Sequence, residues 1–270
     1  VDKTSLNNME PMPPTPEPPA APPTPATSLV GRLLNVFAAP GDVFAGIKST
    51  PPSVANWLVP AILFIVLSWL SAGLIFSQPT IRQQISELST KAIDRQVEKG
   101  KISSTQAEQA RAAAERFGGI GYKIGAVVAP IFAAFASPFF GGLILWLVGS
   151  FALKGTFPYM KAVEVAGLAN MILALSVIVK TLLILITGNL FASPSLALLV
   201  KDFDPRNPVH SLLVMLDVMM LWLLVVRSIG LARLSGASLG KAAAWILGIW
   251  IAFMGVIIGF GAAVRAVFGG

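Results

Sequence analysis

Cysteine is absent from the sequence. That excludes disulfides, thiol nucleophiles, cysteine-ligated iron–sulfur clusters and cysteine zinc sites. Histidine is nearly absent: His210 stands alone at the entrance to an apolar run, without the neighbouring ligands a metal site requires, and reads as an interfacial polar residue. Charge is scarce too. Asp, Glu, Lys and Arg make up 12% of the 270 residues against 55% hydrophobic, which is too apolar for an ordinary water-soluble domain. Also missing are GxSxG, HExxH, a phosphate-binding glycine loop before a helix, and paired soluble carboxylates with a histidine. No catalytic, metal or cofactor-binding residue is therefore assigned, and the chain reads as non-enzymatic.

What is present is a series of long apolar runs, each near the roughly 20 residues that cross a bilayer core. They predict five spans at about 56–76, 124–153, 162–186, 212–231 and 239–264. The last two form the organising hairpin, joined by a short glycine-containing turn with Arg233 and Lys241 and no acid. The formal charge of +7 sits mostly beside the spans. It therefore points to membrane topology and anionic lipid rather than to nucleic acid.

Outside the spans, residues 1–27 are a proline-rich tract that cannot bury a core. PxxP spacings make partner binding the sharper reading and a solvated tail the simpler one. Met9 is a candidate start. Residues 28–50 predict two amphipathic helices broken at Pro40-Gly41, with Leu29, Leu33, Val36, Phe37, Val43, Phe44 and Ile47 on the apolar side. They are expected to lie at the membrane interface or pack beneath the bundle. Nothing resembles a cleavable signal, so the first span should be retained. Residues 78–119 predict a soluble helical hairpin with Ile81, Ile85, Leu88 and Ile93 as one stripe. A capping box at Thr105–Glu108 should start its second helix, and its charges read as a solvated face or a docking surface. The second span exceeds a bilayer core, which a tilt or a kink at Pro130 or Pro138 explains; two re-entrant halves are the alternative.

Ionisable residues inside spans are functional candidates. Glu164 and Lys180 lie on the third span, with Asn170 between them, and Asp217 and Arg227 lie on the fourth. Counting depth along antiparallel neighbours pairs Lys180 with Asp217 and Glu164 with Arg227. These pairs either staple the bundle or line a proton or ion path; Lys180 and Arg227 could also snorkel to the headgroups. On the last span Ala244, Gly248, Ala252, Gly255 and Gly259 form a small-residue face suited to close helix packing, within the monomer or at a dimer seam.

Three stretches carry a resemblance: FAAPGDVFAGIKSTPP before the first span, GSFALKGTFPYMKAVEVAGLAN into the third, and LDVMMLWLLVVRSIGLARLSGASLGKA across the fourth and its turn. Together they resemble the bacterial branch of the Yip1 family, over roughly residues 30–268, with the proline tract and the 78–119 hairpin outside the shared core. The resemblance implies a five-helix bundle with a cytosolic N-terminus and no catalytic residues. Eukaryotic members bind small GTPases and shape or sort membranes. Bacteria lack that trafficking system, so that activity is not carried over.

The expectation is thus an all-α polytopic membrane protein: a five-transmembrane-helix bundle with amphipathic N-terminal helices and a soluble hairpin between its first two spans. The short even-numbered loops and their span ends carry Lys154, Lys161, Arg227, Arg233 and Lys241 and place the N-terminus in the cytoplasm; the bacterial resemblance implies the inner membrane. Its partners are the lipid bilayer and other membrane proteins or a homo-oligomer. The function read from this is a scaffold, assembly or accessory role. The alternative is a small transporter or channel using the intramembrane charges.

Overall fold

The computed structural model describes residues 28–200, 203 and 207–268. The proline-rich tract and the loop charges Lys201, Asp202, Asp204 and Arg206 lie outside the described residues. Helix α1 (Leu29–Ala38) starts where the Ser28 side chain accepts from the Gly31 amide at 3.1 Å. Helix α2 (Pro40–Lys48) follows at once, with Pro40 in its first turn, where a missing N–H costs nothing. The apolar side expected for this pair is real, but it is not left for lipid. Leu33, Val36, Val43, Phe44 and Ile47 are buried in the main core, and α2 packs beneath the bundle on the helix that forms the fourth span.

The first span is α3 (Ala55–Ser77), and α4 (Pro79–Glu98) leaves it almost directly. Gly100, at φ 66°, reverses the chain into α5 (Ser104–Leu147). The capping box there is not at Thr105 but two residues earlier. Ser103 accepts from the Gln106 amide at 3.2 Å, and Gln106 accepts from the Ser103 amide at 2.9 Å. A second departure is larger. The second hairpin helix does not end before the membrane; it continues as one 44-residue helix into the second span. Glycines at 118, 119 and 121 lower helix propensity without removing a backbone donor, and the two prolines sit further along, at 130 and 138. A π-helical turn, Val148–Ala152, closes the helix.

The third span is two helices, α6 (Tyr159–Ala169) and α7 (Met171–Thr187), jointed at Asn170. The fourth begins later than the apolar run suggests. Residues Pro208–Met215 form a separate short helix, α8, and the span is α9 (Val218–Ser235). The divider is Asp217, whose carboxylate accepts from the amides of Met219 at 2.8 Å and Met220 at 3.3 Å. These N-terminal amides have no intrahelical partner and need one in hydrocarbon. Gly236, at φ 76°, ends α9, a left-handed conformation that favours glycine. The chain then returns as α10 (Leu239–Phe268).

Among the described residues, five helical segments are long and apolar enough to cross a membrane: Ala55–Ser77, Ile120–Ala152, Tyr159–Thr187, Val218–Ser235 and Leu239–Phe260. This is a polytopic helical membrane protein whose outward faces contact lipid. Because the spans alternate in direction, one rim carries α1, α2 and the short turns at 153–158 and 236–238. The opposite rim carries the α4–α5 hairpin and the segments 188–200 and 207–217. The core lies where α6 is enclosed by α3, α5 and α9; every residue from Lys161 to Ala169 is buried.

Candidate functional site

Three polar centres lie within the bundle. The first surrounds Glu164, which is fully buried. One carboxylate oxygen, Oε1, accepts from the Ser53 amide at 2.6 Å and from Asn56 Nδ2 at 2.7 Å. The other, Oε2, lies 2.5 Å from Lys161 Nζ, one helical turn away. Lys161 also donates to the Pro51 carbonyl at 3.2 Å. The contact between Oε2 and Lys161 is an ion pair rather than a well-directed hydrogen bond. The expected partner of Glu164 was Arg227, and the structure replaces it with Lys161, Asn56 and the Ser53 backbone. The centre ties the loop entering the first span to the third span. Nearby, Gly167 lets the helices meet: a Cβ there would lie 2.3 Å from Trp57 Cβ.

The second centre is mid-span. Arg227 Nη2 donates to Asn170 Oδ1 at 2.9 Å and lies 3.4 Å from Ser137 Oγ, while Asn170 Nδ2 donates to Ser137 at 3.0 Å. Room for the guanidinium comes from Gly141, where a Cβ would stand 3.0 Å from Nη2. Among the described residues no carboxylate forms an ion pair with Arg227. Asn170 thus serves twice: its backbone joins α6 to α7, and its side chain receives the cation.

The third centre pairs Lys180 with Asp217 at 3.1 Å, near the hairpin rim. Here the pairing expected from depth along the helices is present. The Lys180 side chain keeps 44% of its exposure, against 8% for Asp217, so the lysine reaches outward while the aspartate stays in the bundle. At the same end His210 stacks on Phe203, their ring centroids 5.7 Å apart.

The small-residue face of α10 does not pack inside the chain. Ala244, Gly248, Ala252, Gly255 and Gly259 are exposed, and a Cβ at Gly248, Gly255 or Gly259 would meet nothing within 4 Å. Among the described side chains of α10, Ala242 and Ile246 on the other edge are buried in the core, and Ile249 and Trp250 pack against it. The expectation of intramonomer packing on that face is therefore corrected: α9 receives the side of α10 that carries Ala242 and Ile246.

The Yip1 domain model matches residues 34–261 of the sequence. The chain belongs to the Yip1 family. The Yip1 match runs from α1 through all five spans and across the hairpin, so the three polar centres lie within it. No curated protein and no solved structure matches the sequence. Sequence reasoning missed three residues inside this Yip1 unit: Ser137, Asn56 and Lys161. Ser137 was legible only as the meeting point, with Pro138, of two re-entrant halves, and Asn56 only as a span boundary. Lys161 read as a loop cation because its place on a buried helix face could not be seen.

Proposed function

We propose that this Yip1 family member is a non-enzymatic scaffold or accessory subunit of a multi-pass membrane assembly. The observation that supports this reading is the use of the intramembrane charges. Each one binds the protein's own helices: Glu164 binds Lys161 and Asn56, Arg227 binds Asn170 and Ser137, and Lys180 binds Asp217. A transport path needs polar groups that face a passage and exchange partners. These groups instead tie spans to one another, and Glu164 sits in a helix with no open face. The surfaces left for partners are the α4–α5 hairpin and the outer side of α10.

The same reading places the N-terminal rim in the cytoplasm and the protein in the inner membrane. The basic residues supporting this are fewer than the sequence suggested. Lys161 is neutralised by Glu164, and Arg227 lies mid-span. Lys154, Arg233 and Lys241 remain, joined by Lys48, whose ammonium donates to the Arg233 carbonyl at 2.9 Å. Short basic turns of this kind favour the cytoplasmic side.

The test is purification in nanodiscs under gentle conditions, with quantitative mass spectrometry, alongside ion flux in liposomes. A stoichiometric set of membrane subunits, lost on altering the hairpin, together with flux no greater than in empty liposomes, is expected. A solitary protein that conducts ions, and stops on substitution of Arg227, would overturn the scaffold reading in favour of a channel.

A further inference from the structure

Where the hairpin enters the membrane, three cavities meet. The polar one, about 540 Å³, lies between α4 and α5 and is lined by Arg82, Arg111 and Lys123 with the hydroxyls of Ser86, Ser89 and Thr90. No acid lines it. Arg111 is paired with Asp94, whereas neither Arg82 nor Lys123 forms an ion pair among the described residues. Below it, at the depth of the spans, run two apolar grooves. One, about 740 Å³, follows α5 past Gly125, Ala129 and Ala133. The other, about 410 Å³, runs between α3, α5 and α7 past Ala72, Ala126 and Val177. Phe76 and Tyr122 border all three cavities, so the polar chamber adjoins both grooves.

We infer that this is a built site for one anionic, two-chained phospholipid, its headgroup phosphate among Arg82, Lys123 and the Ser86 hydroxyl and one acyl chain in each groove. The chemistry selects that occupant on three counts. A chamber with two cations outside any ion pair, the Ser86 hydroxyl as a donor and no acid, all among the described residues, suits a phosphate. Grooves inside the spans can be reached only by a molecule whose chains are already in the bilayer. The small residues of α5, spaced by four from Gly121 through Gly125, Ala129 and Ala133, leave a trough on one helix face, and a Cβ at Gly121 or Gly125 would meet nothing within 4 Å. Ordinary annular lipid would fill such a trough without regard to headgroup; the basic chamber at its mouth is what makes the site selective. The inference is independent of the scaffold reading.

The experiment is native mass spectrometry of the full chain released from nanodiscs of mixed phosphatidylglycerol and phosphatidylcholine. One retained phosphatidylglycerol per protein, in preference to phosphatidylcholine, is expected. Arg82→Gln combined with Lys123→Gln should weaken that preference roughly 25-fold, about fivefold for each basic residue at a membrane surface. Lys91→Gln, a charge lost elsewhere on the hairpin, should leave it unchanged. Gly125→Leu should reduce retention with the cations intact. Equal retention of both lipids, or equal loss with Lys91→Gln, would overturn the site. Displacement by inorganic phosphate at the lipid's own concentration would overturn the two-chained occupant, since chains seated in the grooves must add affinity.

Discussion

Glu164 and Asn56, 108 residues apart in sequence, meet at 2.7 Å in a site with almost no exposure. The contact fixes where the chain enters the membrane relative to the third span, because the same carboxylate also takes the Ser53 amide and the Lys161 ammonium. A buried charge that satisfies a backbone amide, a side-chain amide and a counterion is costly to disturb from one side only.

Removing one partner should therefore be severe and removing both mild. Glu164→Leu strands the Lys161 ammonium and should destabilise the protein by about 3–5 kcal/mol, whereas Glu164→Leu with Lys161→Met should recover most of the loss. Thermal unfolding in detergent, followed by circular dichroism, measures both; a double variant as weak as the single would sink the account.

At the opposite rim Asp217 has two separable roles, capping α9 and pairing with Lys180. Asp217→Asn keeps the cap and loses only a pair whose lysine is half exposed, so it should cost no more than about 1 kcal/mol. Asp217→Ala loses both and should cost about 2 kcal/mol. Liposome ion flux should be the same for both variants and the parent, and a drop in flux with Asp217→Asn would argue for transport.

Two glycines should respond oppositely to the same substitution. Gly167→Ala forces a methyl to within 2.3 Å of Trp57 Cβ and 2.5 Å of its Cα, and should cost about 1–3 kcal/mol by overpacking. Gly248→Ala meets nothing within the chain and should be neutral or stabilise by up to about 1 kcal/mol through helix propensity. If Gly248→Ala instead shifts the oligomeric state seen by light scattering, the exposed face of α10 is a seam between copies.

The absence of cysteine makes topology directly measurable. Lys241→Cys and Lys101→Cys place single thiols on opposite rims of an otherwise thiol-free chain. A membrane-impermeant maleimide applied outside intact cells should label Lys101→Cys and spare Lys241→Cys. The reverse pattern would invert the protein and place the hairpin in the cytoplasm.

Much of the architecture was legible in one dimension. Apolar length marks a span because the bilayer has a fixed thickness, so five spans, the basic turn before α10 and the hairpin insertion all follow from residue order. Axial depth was legible too where the helix ends were simple, which is why Lys180 and Asp217 come out as partners. The Glu164–Arg227 pairing failed for a definite reason. The apolar run suggested a fourth span ending at Leu231, but Asp217 caps the helix and moves it to Val218–Ser235. Arg227 then lies eight residues, roughly 12 Å, from the rim where it was expected, opposite Asn170 rather than Glu164.

The sequence by itself determined that this chain enters and re-enters a membrane, roughly where it does so, and that four charges must find partners inside. Only the tertiary structure decided which partners those are, which face of α10 packs, and that Arg82, Arg111 and Lys123 gather above two apolar grooves. Periodicity and hydropathy record distance along a helix axis. Partner choice depends on rotation about that axis and on helix ends, and those are set jointly by caps such as Asp217, close contacts such as Gly167 on Trp57, and the neighbours each helix meets.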